Sequence, residues 1–190
     1  TGINNRRNLF ELAEHEFDIA MRYQQPLSII IFDIDYFKQI NDTYGHETGD
    51  RALRRFAETL RSTLRSEDIV CRHGGEEFAL VLPGCSAQEA GHLLEQVRTQ
   101  LSQTASDTGL PNYTVSFGVI DGESHEDLET LLHRADASLF EAKHRGRDRV
   151  VINAPTTAHD TPGECQINGV TELARQAGPE RAGREGTGSD

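Results

Sequence analysis

Gly74-Gly75-Glu76-Glu77-Phe78 sets two carboxylates directly after two glycines, about forty residues beyond an apolar run that ends in Asp33-Ile34-Asp35. A hairpin turn and a strand end can bring such carboxylates to one point, where they repel unless a cation joins them. Hard oxygen donors at that density suit Mg²⁺ or Mn²⁺. A metal held in this way can activate a hydroxyl and steady a phosphate, as in polymerase-like enzymes. The paired glycines let backbone N–H groups approach phosphate oxygens. Taken alone, the pentapeptide fits equally well as a polar β-turn with solvated acids, so its meaning depends on its surroundings.

The elements that must carry these residues show in the apolar pattern. Residues 5–23 put Leu9, Leu12, Ala13, Phe17 and Ala20 on one helical face, and Pro26 stops that helix. Leu27-Ser28-Ile29-Ile30-Ile31-Phe32 has the β-branched, apolar composition of a buried central strand. A polar segment follows over 37–49, punctuated by Gly45 and Gly49, and then a helix bearing Leu53, Phe56, Ala57, Leu60 and Leu64. Residues 69–72 and 78–82 read as two short strands joined through the Gly-Gly turn, since glycine tolerates the positive φ of a tight hairpin.

Ser86-Ala87-Gln88-Glu89 is a capping box that opens a helix to about residue 102. Residues 113–120 alternate as a strand. Ser124 and Asp127 sit where a cap and a first-turn acid belong for a helix to about residue 145, with Gly146 at its end. Residues 149–152 form a last strand. The expected order is α-β-α-β-β-α-β-α-β: an α+β class with a central, mostly antiparallel five-stranded sheet flanked by helices. Residues 1–153 form one domain. The six glycines and three prolines of 154–190 predict a flexible C-terminal tail.

Charge limits the partners. The 190 residues carry 31 acids against 19 bases, a net charge of −12, of which −9 falls in 1–153 and −3 in 154–190. That sum argues against coating DNA, RNA or an anionic membrane, each of which needs a basic face. It leaves open a small anion met by a metal or a local basic cluster. Seventeen of the bases are arginine; the only lysines are Lys38 and Lys143. Cys71, Cys85 and Cys165 show no metal-ligand spacing and read as reduced thiols of a cytoplasmic protein. No run approaches the roughly 18 apolar residues of a membrane span, and no signal peptide is evident.

Across about residues 1–152 the chain resembles the GGDEF family of diguanylate cyclases, in the family's own order and spacing. The stretches that carry the resemblance are Thr1-Gly2-Ile3-Asn4-Asn5-Arg6-Arg7, Phe32-Asp33-Ile34-Asp35-Tyr36-Phe37-Lys38, Ile40-Asn41-Asp42-Thr43-Tyr44-Gly45-His46 and Gly49-Asp50. They continue through Cys71 to Phe78, Val115-Ser116-Phe117-Gly118-Val119, Arg134-Ala135-Asp136, Ala142-Lys143 and Gly146-Arg147. Gly74 to Phe78 is the GGEEF form of the signature.

The resemblance implies a nucleotidyl-cyclase, polymerase palm-like fold. It also implies condensation of two GTP into cyclic di-GMP with release of two pyrophosphates. Asp33, Glu76 and the Ile34 carbonyl match its ligands for Mg²⁺ or Mn²⁺, two per active site. Glu77 matches a second acid that binds metal or helps deprotonate the ribose 3′-OH. Asn41 and Asp50 match its guanine readers; an aspartate can accept from guanine N1–H and N2–H₂, which adenine lacks. On their own these two residues read as a turn residue and a charge at a helix start.

Lys38, Lys143 and Arg147 match phosphate contacts, while Phe37, Gly74 and Gly75 line the substrate site. Arg65-Ser66-Glu67-Asp68 matches an inhibitory site, where Arg65 and Asp68 would grip the guanine of the product. By itself RxxD is an ordinary ion-pair spacing.

Three positions depart from the family pattern: Ile3 where Leu is usual, His73 where an aromatic or apolar residue is frequent, and Asp148 where Asn is usual. Asp148 is expected to weaken a hydrogen bond near Arg147. The family implies a catalytic homodimer and, because the chain opens on Thr1, a missing upstream sensor or dimerisation module that can be membrane-anchored. Two rival readings share these residues: a silent receptor for cyclic di-GMP or GTP, and a cyclase for another nucleotide. Intact Asp33, Glu76 and Glu77 argue against the first, and Asp50 argues against the second.

Overall fold

The computed structural model describes residues 6–72, 76–104, 109–122 and 126–153. His73, Gly74, Gly75, Ser124, residues 1–5 and the 154–190 segment with Cys165 lie outside the described residues.

β1 (Leu27–Ile34) is buried along its whole length, which its unbroken apolar run requires. It is the middle strand of a five-stranded sheet in the order β2-β3-β1-β4-β5. β3 (Glu77–Pro83) and β4 (Val115–Asp121) flank it, both antiparallel. β2 (Ile69–Arg72) pairs antiparallel with β3, completing the expected hairpin. β5 (Val150–Ile152) runs parallel to β4, so the sheet is mixed. A parallel neighbour needs a crossover, and α5 (Leu128–His144) supplies it.

The two faces of β1 divide by parity. Ile30, Phe32 and Ile34 face a core shared with α3 (His46–Thr63) and α4 (Ala87–Thr104), through Leu53, Phe56, Leu60, Leu94 and Val97. Leu27, Ile29 and Ile31 face α1 (Arg6–Tyr23) and α5, through Ala13, Ala20, Leu131, Ala135 and Leu139. In the first core Phe32 stacks on Phe78 at 5.3 Å and meets Phe56 and Phe117 at 5.3 and 5.4 Å. Cys71 and Cys85 are buried thiols outside any disulfide, as expected. Among the described residues no helix is long and apolar enough to cross a membrane.

Two expectations are corrected. The polar 37–49 segment is helical: α2 (Phe37–Tyr44) fills most of it, and α3 begins at His46. Gly45, at φ 83°, is a one-residue break between two helices. Only Phe37 and Ile40 of α2 are buried, too narrow a stripe to register as a helical period. Asp127, expected within the first turn of α5, is the N-cap itself and accepts from Thr130 N–H at 2.7 Å. The capping box holds as read: Glu89 accepts from Ser86 N–H at 2.8 Å.

The crossover helix lies hard against β4 at Gly118. A Cβ there would come within 2.2 Å of Leu139 N and 2.3 Å of the Ala135 carbonyl oxygen. Gly118→Ala must therefore push α5 off the sheet, at a cost of about 1–3 kcal/mol or more for overpacking. Urea denaturation should show a lower midpoint; an unchanged midpoint would mean that the helix is free to give way.

Candidate active site

Cross-strand register brings the acids together. Asp33 stands opposite Glu77 on β3 and opposite Ser116 on β4. Directly opposed residues of antiparallel strands project to the same face, here the face that α5 covers. From the last turn of α5, Lys143 pairs with Asp33 Oδ2. The other carboxylate oxygen, Asp33 Oδ1, is buried and without a hydrogen-bond partner. Burial pushes the Asp33 carboxyl up to about 6; Lys143 works against that rise, and the charges of Glu76 and Glu77 add to it.

Those residues meet the demands of a hard divalent cation. An orphaned, desolvated oxygen with two further carboxylates close by is an oxygen-only donor set with charge to neutralise. Among the described residues, however, no three His, Cys, Asp or Glu side chains already converge on one point. A full coordination shell would therefore need other oxygens, such as the Ile34 carbonyl, water or substrate phosphate.

Asp35 does not join the acid cluster. It accepts from Thr114 Oγ1 at 2.6 Å, Ser116 Oγ at 2.7 Å and Asp148 N–H at 3.1 Å. Arg147 lies over the Tyr36 ring at 4.4 Å and donates to Tyr36 Oη at 3.2 Å. The Asp148 carboxylate pairs with Arg98 of α4 at 2.7 Å. Sequence reasoning counted Asp35 among the converging acids and gave Tyr36 no role of its own. The partners of Asp35 lie about eighty and more residues away, so no local pattern could reveal it.

Asn41 packs against Gly49, the residue before Asp50, at the α2–α3 corner. Gly49 is buried there, and a Cβ on it would fall 1.9 Å from Asn41 Oδ1 and 3.2 Å from Phe37 Cζ. The missing side chain of Gly49 is the space that Asn41 uses. Asp50 follows on the exposed side, and Lys38 is exposed on α2. A cavity of about 560 Å³ opens on another side of α2, lined by Asp35, Tyr36, Gln39, Tyr44 and Tyr113 among others. None of the expected guanine or phosphate contacts lines it.

Arg65 and Asp68 share the turn that leads into β2. Asp68 Oδ2 accepts from Arg65 N–H at 2.7 Å, and Arg65 Nη1 lies 3.9 Å from Glu67. The backbone N–H of Arg65 thus ties the two residues together. Burial raises the Asp68 carboxyl, and the Arg65 N–H bond partly offsets that rise.

Known proteins resemble this chain in sequence and in fold. Diguanylate cyclase DgcM of Escherichia coli is 41% identical over 151 residues, covering 80% of this chain and 37% of that protein. Response regulator PleD of Caulobacter vibrioides is 38% identical over 159 residues, covering 81% and 35%. The chain thus spans little more than a third of these relatives' length. Among solved structures, the GGDEF domain of DgcB from Caulobacter crescentus, in complex with c-di-GMP, superposes with a TM-score of 0.73 at 31% identity, covering 80% of this chain and 92% of that one. The active GGEEF domain of a diguanylate cyclase from Vibrio cholerae gives 0.74 at 35% identity, covering 79% and 97%. With residues 1–149 matching the description "Diguanylate cyclase, GGDEF domain", the chain belongs to the GGDEF family.

Proposed function

We propose that this domain is a diguanylate cyclase, joining two GTP into cyclic di-GMP with loss of two pyrophosphates. The observation that carries the reading is the buried, unpartnered Asp33 Oδ1 beside Glu76 and Glu77, in a chain of this family. Asn41 and Asp50 read guanine from the α2–α3 corner. Lys38, Lys143 and Arg147 meet the triphosphate, and the family resemblance assigns Gly74 and Gly75, outside the described residues, to the same substrate site. A bound nucleoside triphosphate carries roughly four negative charges, so these cations leave a remainder for metal to neutralise.

Asp33, Glu76 and the Ile34 carbonyl would hold Mg²⁺ or Mn²⁺, two per site, with Glu77 as a further ligand or as the group that accepts the 3′-OH proton. Bound there, the metal supplies a lowered hydroxyl pKa and stabilisation of the charge that develops on the phosphoryl group. Lys143 must exchange Asp33 for phosphate oxygens as substrate enters. Two domains face each other antiparallel, each presenting its 3′-oxygen to the other's α-phosphorus. The new P–O bond forms as pyrophosphate leaves, and positioning supplies much of the rate. An upstream module brings the two domains together. The turn holding Arg65 and Asp68 binds product and restrains synthesis.

The direct test is incubation with GTP and Mg²⁺ followed by nucleotide chromatography. Cyclic di-GMP should form, and Asp33→Ala or Glu76→Ala should abolish it. No product at high protein concentration, or with forced dimerisation, overturns the reading, and an active Glu76→Ala protein overturns the metal assignment.

Gly49→Ala tests the guanine corner. Alanine favours a helix interior by up to about 1 kcal/mol, so the variant should fold. Asn41 must move, and KM for GTP should rise on the order of tenfold or more. Unchanged KM and unchanged preference over ATP would remove Asn41 from guanine reading.

Arg65→Ala should raise the concentration of added cyclic di-GMP needed for half-inhibition by about tenfold or more. Persistent inhibition would place the regulatory site elsewhere.

A further inference from the structure

The backbone at one corner of the molecule is held in a disfavoured form. Four non-glycine residues among those described have positive φ, and three of them are Tyr36 at 56°, Arg147 at 62° and Asp148 at 47°. A Cβ makes the left-handed region costly, and such residues persist only where neighbours over-determine them. Tyr36 lies just beyond β1, and Arg147 and Asp148 lie between α5 and β5. Residues 36 and 147 are distant in sequence, yet their side chains touch.

What holds them is one buried carboxylate. Asp35 is buried, at 3% exposure, and both of its oxygens are engaged. Oδ1 accepts from Ser116 Oγ at 2.7 Å and lies 4.0 Å from Arg147 Nε. Oδ2 accepts from Thr114 Oγ1 at 2.6 Å and from Asp148 N–H at 3.1 Å. The end of β1, the start of β4 and the turn before β5 are thus tied to one side chain. On the far side, Arg98 pairs with the Asp148 carboxylate, and Arg147 N–H donates to the Ala142 carbonyl at 3.0 Å.

We propose that Asp35 is a positioning residue that clasps the 147–148 turn to the end of β1, so that Arg147 is held on the Tyr36 ring, ready for a nucleoside triphosphate before it arrives. The inference rests on the cyclase reading for the identity of that ligand. A free arginine side chain loses considerable rotamer entropy when it grips a phosphate. One already stacked on an aromatic face and anchored at its backbone loses less, and the difference is gained as affinity. The Tyr36 ring contributes as a platform, the favourable geometry for a guanidinium over an aromatic face. Loss of the clasp should therefore weaken substrate binding and leave the chemical step, which uses Asp33, Glu76 and Glu77, largely intact.

The experiment compares wild type, Asp35→Asn, Tyr36→Ala and Tyr36→Phe in steady-state turnover of GTP at fixed Mg²⁺. KM should rise about three- to tenfold in Asp35→Asn and Tyr36→Ala, with kcat within about twofold of wild type. Tyr36→Phe keeps the ring and should restore most of the affinity. Tyr36 is exposed, so its variants test the clasp even if Asp35→Asn folds poorly. Lower stability with unchanged KM in Asp35→Asn and Tyr36→Ala overturns the proposal and leaves Asp35 a purely structural residue.

A second readout needs no turnover. The Arg147 side-chain Nε–H resonance, in protein without nucleotide, should be resolved and slow to exchange in wild type and averaged in Tyr36→Ala. An averaged resonance in wild type overturns the clasp. If wild type makes no cyclic di-GMP, the cyclase reading fails while this resonance still decides whether Arg147 is held.

Discussion

The register of β1 against β3 is the constraint on which the site depends. Phe32 stacks on Phe78 across the two strands, and the next pair along is Asp33 with Glu77. Burying each phenylalanine is worth about 1.5–3 kcal/mol, and aromatic pairs add roughly 0.5–1.5 kcal/mol beyond area. A slip of one residue would turn the ring and the acid of the slipped strand to the opposite face, so Phe32 would no longer stack on Phe78 and Asp33 would no longer share a face with Glu77. The aromatic cluster therefore holds like charges within reach of one another, a placement they resist when left alone. The core contributes the free energy, and the acids are its passengers.

Asp33 shows what that placement costs. Its carboxyl is buried beside Glu76 and Glu77, and its pKa rises to about 6 despite Lys143. A carboxylate placed only for stability would have both oxygens satisfied, as Asp35 does two residues later. The contrast within one tripeptide separates the two roles: Asp35 has its hydrogen bonds complete and ties elements together, whereas Asp33 keeps one oxygen for something else.

Much of this was legible in the sequence because it is local. The apolar run at 27–32, the Ser86–Glu89 capping box and the five strands each follow from patterns a few residues long. The α2 helix was hidden because only Phe37 and Ile40 of its eight residues are buried. The parallel pairing of β5 depends on a helix crossing over the sheet, which no three-residue strand announces. The candidate residues were named through family resemblance, and their geometry came from long-range contacts. Gly49 looked like punctuation; in the structure it is the space into which Asn41 fits. Asp35 looked like a third acid of the cluster, because hydroxyl partners at 114 and 116 leave no mark near residue 35.

The division of labour among the cations fits the same logic. Lysine is a compact point charge on a flexible stem, and arginine is a planar fork that stacks. Lys143 sits on Asp33, where a triphosphate reading requires it to let go of one anion and take another. Arg147 sits on Tyr36, where the same reading requires it to stay in place. Exchanging the two would put a stacking fork where transfer between anions is needed, and a mobile ammonium where a fixed one is needed. A chain with seventeen arginines and two lysines has placed one of its lysines at the position that calls for a releasable charge. On that reading the net charge of −12 is a poor guide to the ligand, because a few placed cations would decide it.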